Sequence, residues 1–187
     1  MSPRYDIPNA APQPLRLVQE FVNTVDLEHE REWLQDPADL ERWLVERSLL
    51  EPGRPVGRAD LRKAHALRDC FRELLRSNND GRPLPDAAQT RLNRLARQSK
   101  LVPQLDEHGQ TALVPLAGGT SAVFGGLLAI AFSAMTDGTW ARLKACRRCR
   151  WAFYDYSRNR AASWCSMAIC GNRLKTRAYR RRRRSAA

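Results

Sequence analysis

The sequence predicts a mainly α protein with one small β-hairpin, an α+β arrangement in which a helical domain (1–139) precedes a small cysteine-bearing module (140–187). Three observations predict it. Apolar residues recur at helical spacing over most of the first hundred residues. The period then changes to two short strand-like runs, 101–105 and 111–116. Finally, four of the five cysteines crowd into the last quarter of the chain, spaced C-x2-C-x15-C-x4-C.

Residues 1–14 carry four prolines and read as an extended lead-in. A first helix is predicted from Leu15 to Leu27, with Leu17, Val18, Phe21, Val22 and Val25 inside. Asp36-Pro37 opens a second, because proline suits a first helical turn; Leu40, Trp43 and Leu44 form its inner face. A long helix follows from Arg58 to Arg76, with Leu61, Ala64, Leu67, Phe71, Leu74 and Leu75 inside. Asn78-Asn79-Asp80-Gly81 is a strong turn signal. Residues 86–98 read as another helix, and Glu107-His108-Gly109 as the tip of the hairpin. Residues 120–136 form a helix rich in small residues, suited to close packing. Cys70 falls within the long helix and reads as a small buried hydrophobe.

Composition describes a globular chain, with 43% hydrophobic and 28% charged residues. Its net charge of +12 is unevenly spread. Residues 140–187 hold 15 Lys/Arg against one acid, Asp155, whereas the remainder is slightly acidic. A basic block of this kind serves DNA, RNA, anionic membrane or an acidic protein partner. The apolar run Ala122–Met135 is interrupted by glycine and serine and reads as too short to span a bilayer. No apolar run opens the chain, so a cytoplasmic protein without membrane attachment is expected. Reduced thiols are then expected to hold metal rather than form disulfides.

Cys146, Cys149, Cys165 and Cys170 form two short-spaced pairs, which is what four thiolates need to surround one tetrahedral ion. Zinc suits four soft ligands, with an iron–sulfur cluster as the alternative. Four protein ligands leave no open position for water, so one structural Zn²⁺ is expected. Between the pairs lie Trp151, Phe153, Tyr154, Tyr156 and Trp164. They read either as a mini-core or as a stacking platform for bases. Asp155 is expected to pair with a nearby arginine or cap a turn. Arg158 and Arg160 sit in a polar turn within reach of phosphates. Past Cys170, a helix would place Arg173, Arg177, Arg180 and Arg184 on one face, with Lys175 and Arg181 beside it. Asn172 and Arg173, next to a metal ligand, are the better candidates for specific contacts. Elsewhere, Asn23 and Thr24 are polar residues beside an apolar helix. They read as backbone-bonding groups or as the lining of a small-molecule effector pocket. Glu28, His29, Glu30 and Glu32 read as a solvated helix face. No catalytic constellation is legible, and an enzyme is not expected.

These residues resemble the CGNR-type zinc fingers. The matching motif is Cys146-Arg-Arg-Cys149, then Phe153-x-Asp155-x-Ser157-Arg-Asn159-Arg160, then Trp164-Cys165-Ser-Met-x-x-Cys170-Gly171-Asn172-Arg173. It departs from the pattern at Ala161-Ala162-Ser163, where such fingers often carry a basic residue. The first domain resembles the ABATE domain that accompanies these fingers, at Phe21-Val22-Asn23-Thr24, at the Trp43-Leu44 helix, and at Ala66-Leu67-Arg68 leading to Phe71-Arg72. The resemblance implies a bacterial transcription regulator, described as stress-induced, whose zinc finger binds DNA. RNA or ribosome binding, or docking of an acidic protein, are the alternatives. A homodimer would double the small footprint of one finger.

Overall fold

The computed structural model describes residues 9–105 and 107–172. Its chain runs α1 (Leu15–Val22), β1 (Val25–Asp26), β2 (Arg31–Glu32), α2 (Pro37–Val45), α3 (Arg58–Asp80), α4 (Asp86–Gln98), β3 (Leu101–Leu105), β4 (Thr111–Pro115), α5 (Gly119–Thr136), β5 (Leu143–Ala145) and β6 (Ala152–Tyr154). A short 3-10 turn, Trp140–Arg142, enters β5, and a π-helical turn, Met167–Gly171, ends the described chain. Each of the three strand pairs is an antiparallel two-stranded ribbon. The fold is thus mainly helical with small strand pairs, and two of those pairs, β1–β2 and β5–β6, add to the single predicted hairpin β3–β4.

One core serves the helices. Val18, Phe21 and Val22 of α1 meet Leu40 and Leu44 of α2, Leu67 and Phe71 of α3, and Phe124, Leu127 and Leu128 of α5. Phe21 lies 5.5 Å from the Trp43 ring and 6.5 Å from Phe71. Asp36 caps α2, its carboxylate accepting the Asp39 N–H at 2.9 Å, and Pro37 takes the first turn as predicted. Cys70 is fully buried in the same core.

α5 packs closely. A Cβ on Gly125 would come within 2.7 Å of both Pro115 Cβ and Ser99 Cβ, so only glycine lets this helix lie on the α4–β3 corner and β4. Among the described residues it is the one helix long and apolar enough, by length and composition, to cross a membrane. At 18 residues it is longer than the apolar run read from the sequence. Its buried residues Phe124, Leu127, Leu128 and Ala131 belong to the core.

Two predicted boundaries are corrected. The first helix ends at Val22 rather than Leu27. Thr24 turns its N–H and its hydroxyl back to the Phe21 carbonyl, at 3.2 and 2.8 Å, and the chain then enters the β1–β2 ribbon. Glu28, His29, Glu30 and Glu32 are therefore not a helix face. Asp26 accepts the loop N–H groups of Glu28 and His29, and Glu32 forms a paired hydrogen bond with the buried Arg68 guanidinium at 2.6 and 2.7 Å. The long helix, in turn, does not stop at Arg76. It runs through Asn78 and Asn79 to Asp80, and Gly81 (φ 61°) ends it in the left-handed conformation.

The reason α3 outruns its turn signal lies in the last quarter of the chain. Asn78 Nδ2 donates to the carbonyls of Trp140 (2.8 Å) and Leu143 (2.9 Å), and Asn79 Nδ2 donates to that of Ala145 (2.7 Å). Tertiary acceptors replace the local ones that would have drawn these side chains into a turn. Trp140, Leu143, Ala145, Ala152 and Tyr154 are buried in the helical core itself, with Trp140 5.9 Å from Phe71. The inner face of the β5–β6 ribbon thus continues the core across the expected boundary at residue 139.

Candidate metal centre and nucleic-acid interface

The outer side of that ribbon carries the cysteines. Cys146 follows β5 and Cys149 precedes β6, so the ribbon turn is itself the first knuckle. The Cys146 N–H bonds to the Trp151 carbonyl (2.8 Å), and the Arg150 N–H to the Cys146 carbonyl (2.9 Å). Arg150 takes a left-handed φ of 64° to close it. The second pair is brought in by the Arg147 N–H bonding to the Ser163 carbonyl (3.0 Å), and by Asn9 Nδ2 donating to the Cys165 carbonyl (2.8 Å). The π-helical turn then delivers Cys170, whose N–H bonds to the Ser166 carbonyl at 2.9 Å. Gly171 is buried against Met167 and Trp164; a Cβ there would lie 2.6 Å from Met167 Sδ and 3.3 Å from Trp164 Cδ1.

All four cysteines are buried, and their Sγ atoms lie within 4.8 Å of one another. Cys149, Cys165 and Cys170 form a triangle with 3.6 Å edges. Zn–S bonds of about 2.3 Å put the corners of a tetrahedron about 3.8 Å apart. The cluster therefore fits one structural zinc ion. The thiols also need a cation. S–H groups of Cys149 and Cys165 stabilise a thiolate on Cys146, and their own thiols are raised in consequence, that of Cys149 to about 12. Four such groups share this buried space as thiolates only around a positive charge. Arg148 stands beside them, its Nη1 3.7 Å from Cys170 Sγ and its Nη2 2.6 Å from Glu28 Oε1. Glu28 thereby orients a cation that offsets the negative charge of a four-thiolate zinc site.

Around the metal, Trp151 and Phe153 are buried with the cysteines, and Trp33 of the helical domain packs on them, 6.4 Å from Trp151. Of the five aromatics, Trp151 and Phe153 thus form a mini-core with the cysteines, whereas Tyr154 belongs to the helical core. Tyr156 is exposed, and its hydroxyl donates to the Ala10 carbonyl at 2.7 Å. Asp155 is buried, and its partner is Lys144 rather than an arginine: Nζ lies 2.9 Å from Oδ2. It also accepts the N–H groups of Ser157 (2.9 Å) and Ala162 (3.0 Å), so it does cap the turn. Burial alone would raise its carboxyl. Hydrogen bonds from Ser157 and Lys144 outweigh that and hold it below the usual carboxylate range.

Arg158 and Arg160 stand exposed on the turn that Asp155 braces, and Asn172 is exposed directly after Gly171. Lys144 also donates to the Arg160 carbonyl. These three predicted nucleic-acid residues are thus brought to the rim of the metal module. Arg173, Lys175, Arg177, Arg180, Arg181 and Arg184 lie outside the described residues.

Asn23 and Thr24, read as backbone-bonding groups or as a pocket lining, are both buried and bonded inside the protein. Asn23 Oδ1 accepts the Ala152 N–H (2.7 Å) and its Nδ2 donates to the Ala152 carbonyl (3.0 Å). Gln19 Nε2 donates to the same carbonyl at 3.1 Å. Thr24 Oγ1 accepts from Arg68 Nη1 at 3.0 Å. Asn23 therefore completes the edge of β6 as a neighbouring strand would. Its replacement by alanine leaves the buried Ala152 N–H without that partner and its carbonyl with Gln19 alone, at a cost of about 1–3 kcal/mol. Urea denaturation is expected to show that loss while the zinc content stays at one per chain; unchanged stability would contradict the role.

Sequence reasoning missed Asn78, Asn79, Gln19, Lys144 and Arg148. Their types carried no signal, since each acts on a partner distant in the chain. Only Arg148 had a clue in its position between two ligand cysteines.

Residues 15–137 match the family model of the ABATE domain, described as "Putative stress-induced transcription regulator". Residues 142–183 match the model of the CGNR zinc finger. No curated protein matches the chain.

Proposed function

The chain belongs to the ABATE family and carries a CGNR zinc finger, and on that premise we propose that it is a cytoplasmic regulator that binds duplex DNA through the rim of the finger and the basic run after it. The observation that carries this reading is where the charge sits. Fifteen Lys/Arg fall in residues 140–187, and the described ones at the rim, Arg158 and Arg160, are exposed on a turn braced by the buried Lys144–Asp155 pair. A rigid platform presents arginines to phosphates and base edges at little ordering cost. The ABATE domain acts as the mount, since it supplies Asn23, Asn78 and Asn79 to the finger's own backbone. No catalytic step is assigned: four protein ligands leave the zinc no position for water or substrate.

The test is selection of zinc-loaded protein against a pool of random duplex DNA at two salt concentrations. The expected result is an enriched motif that survives the higher salt and is lost in the Arg158→Ala/Arg160→Ala double variant. Retention without a motif, fading steeply with salt, would mean phosphate binding alone. Preferential competition by structured RNA would move the target to RNA.

A further inference from the structure

Away from the finger, a cavity of about 450 Å³ opens between α5, α1 and the segment that follows α2. Its walls are apolar and available. Leu17 of α1, Leu49 and Leu50 after α2, and Ala122, Gly126 and Ile130 of α5 line it. Each of the six is only part-buried, so the surface it turns to the cavity is not spent in the core. Val123 and Leu127, which also line it, belong to the core. α5 is apolar along its length, yet 39% of it is buried. Ala122, Gly126 and Ile130 share one face of that helix, at i, i+4 and i+8.

Gly126 marks the open space. A Cβ on Gly125 would collide with Pro115 and Ser99, whereas a Cβ on Gly126 would meet nothing within 4 Å. Packing explains the first glycine and not the second, which leaves helix backbone open to whatever enters the cavity. The opposite wall is held in place. The chain reverses after α2 through Ser48, which takes a left-handed φ of 55°, and the Leu49 N–H returns to the Leu44 carbonyl at 2.9 Å. Charge narrows the occupant. Glu51 and Arg54, both exposed, are the charged members of the lining and cancel, and Ser48 adds one hydroxyl. A lining without net charge gives an ion no advantage. The volume suits a small molecule, for which sites of about 300–1,000 Å³ are usual.

We propose that this cavity binds a small uncharged apolar molecule, laid against the α5 backbone at Gly126 and enclosed by Leu17, Leu49, Leu50 and Ile130. The hydrophobic effect supplies the affinity, since the part-exposed surfaces of these residues leave water on binding. α1, which gives Leu17 to the cavity, also gives Gln19 and Asn23 to the Ala152 backbone of the finger. A ligand here therefore rests on the helix that braces the zinc module. The site stands whether or not the finger reads DNA.

N-phenylnaphthylamine, an uncharged fluorophore, is the probe, titrated into the full zinc-loaded chain, with naphthalenesulfonate as the charged competitor. A saturable gain in fluorescence at one site per chain is expected, with poor displacement by the competitor. Gly126→Leu is expected to weaken binding about tenfold or more, because its side chain fills the cavity. Its melting temperature should not fall, since leucine favours a helix more than glycine does and a Cβ there has room. Glu51→Gln/Arg54→Gln should bind as the wild type does. No saturable binding would overturn the proposal. So would wild-type affinity in Gly126→Leu, or a lower melting temperature, which would show the space to be filled already. Tight displacement by naphthalenesulfonate, or loss of binding in Glu51→Gln/Arg54→Gln, would overturn it in favour of a charged ligand. Binding that weakens as protein concentration rises would assign this face to a second copy of the chain instead. The readout involves no nucleic acid, so its failure and the failure of DNA binding are separate results.

Discussion

Cys165→Ser is expected to strip the zinc and unfold much more than the finger. Structural zinc contributes about 10–16 kcal/mol to folding in isolated finger peptides. A whole domain is stable by only about 5–15 kcal/mol. In this chain the two are joined, because Leu143, Ala145, Ala152 and Tyr154 on the inner face of the finger ribbon are buried with Phe71 and Trp140 in the helical core. Loss of the metal frees the outer face, where Trp151 and Phe153 are buried together with the four cysteines. The melting temperature is expected to fall by about 10 °C or more, with zinc content dropping from one per chain towards zero. Elemental analysis and calorimetry read both. Cys70→Ala is the control: its thiol is buried in α3, outside the metal cluster, and the zinc should stay. A Cys165→Ser protein with full zinc and an unchanged melt would refute the ligand assignment.

Lys144→Met is expected to be the costliest single change that leaves the ligands intact. Lys144 and Asp155 form an ion pair whose side chains are 6% and 0% exposed. Removing the ammonium leaves a buried carboxylate without its cation, a loss of about 3–5 kcal/mol. The pH dependence gives the sign. In the native protein the carboxyl of Asp155 is held below its usual value, so its contribution is present above the ordinary carboxylate range, near pH 4. It is lost as pH falls through the lower, folded value. Glu32 adds in the same direction: burial would raise it, but the Arg68 hydrogen bonds prevail and lower it. In Lys144→Met the Asp155 carboxyl rises instead, and protonation relieves the uncompensated charge. The gap between variant and wild type, measured by urea denaturation, should therefore narrow as the pH falls from neutral towards the ordinary carboxylate range. A gap that is constant with pH would mean lost packing rather than lost charge.

Much of the fold was legible because its signals were local. Asp36-Pro37 begins α2, and Leu67, Phe71 and Leu74 face inward, since capping and helical period need only near neighbours. The misread segments share one physical cause. Val25 continued a helical period, yet Thr24 bonded back to Phe21 and released the chain into a ribbon. Asn78 and Asn79 read as a turn, yet carbonyls of Trp140, Leu143 and Ala145 held them in a helix. In each case the deciding group was a hydrogen bond whose worth depends on the surroundings, not on the residue type.

By itself the sequence determined the metal. Two close cysteine pairs at that spacing can hardly fail to chelate, because the short loops bring each pair together at small entropic cost. It determined the segregation of charge as well. Only the tertiary structure decided that the finger is not an appendage. The Ala152 backbone has no hydrogen-bonding preference that names Asn23, and the Glu28–Arg148 pair spans the chain. Such contacts exist only once burial has excluded water, and burial is a property of the whole molecule.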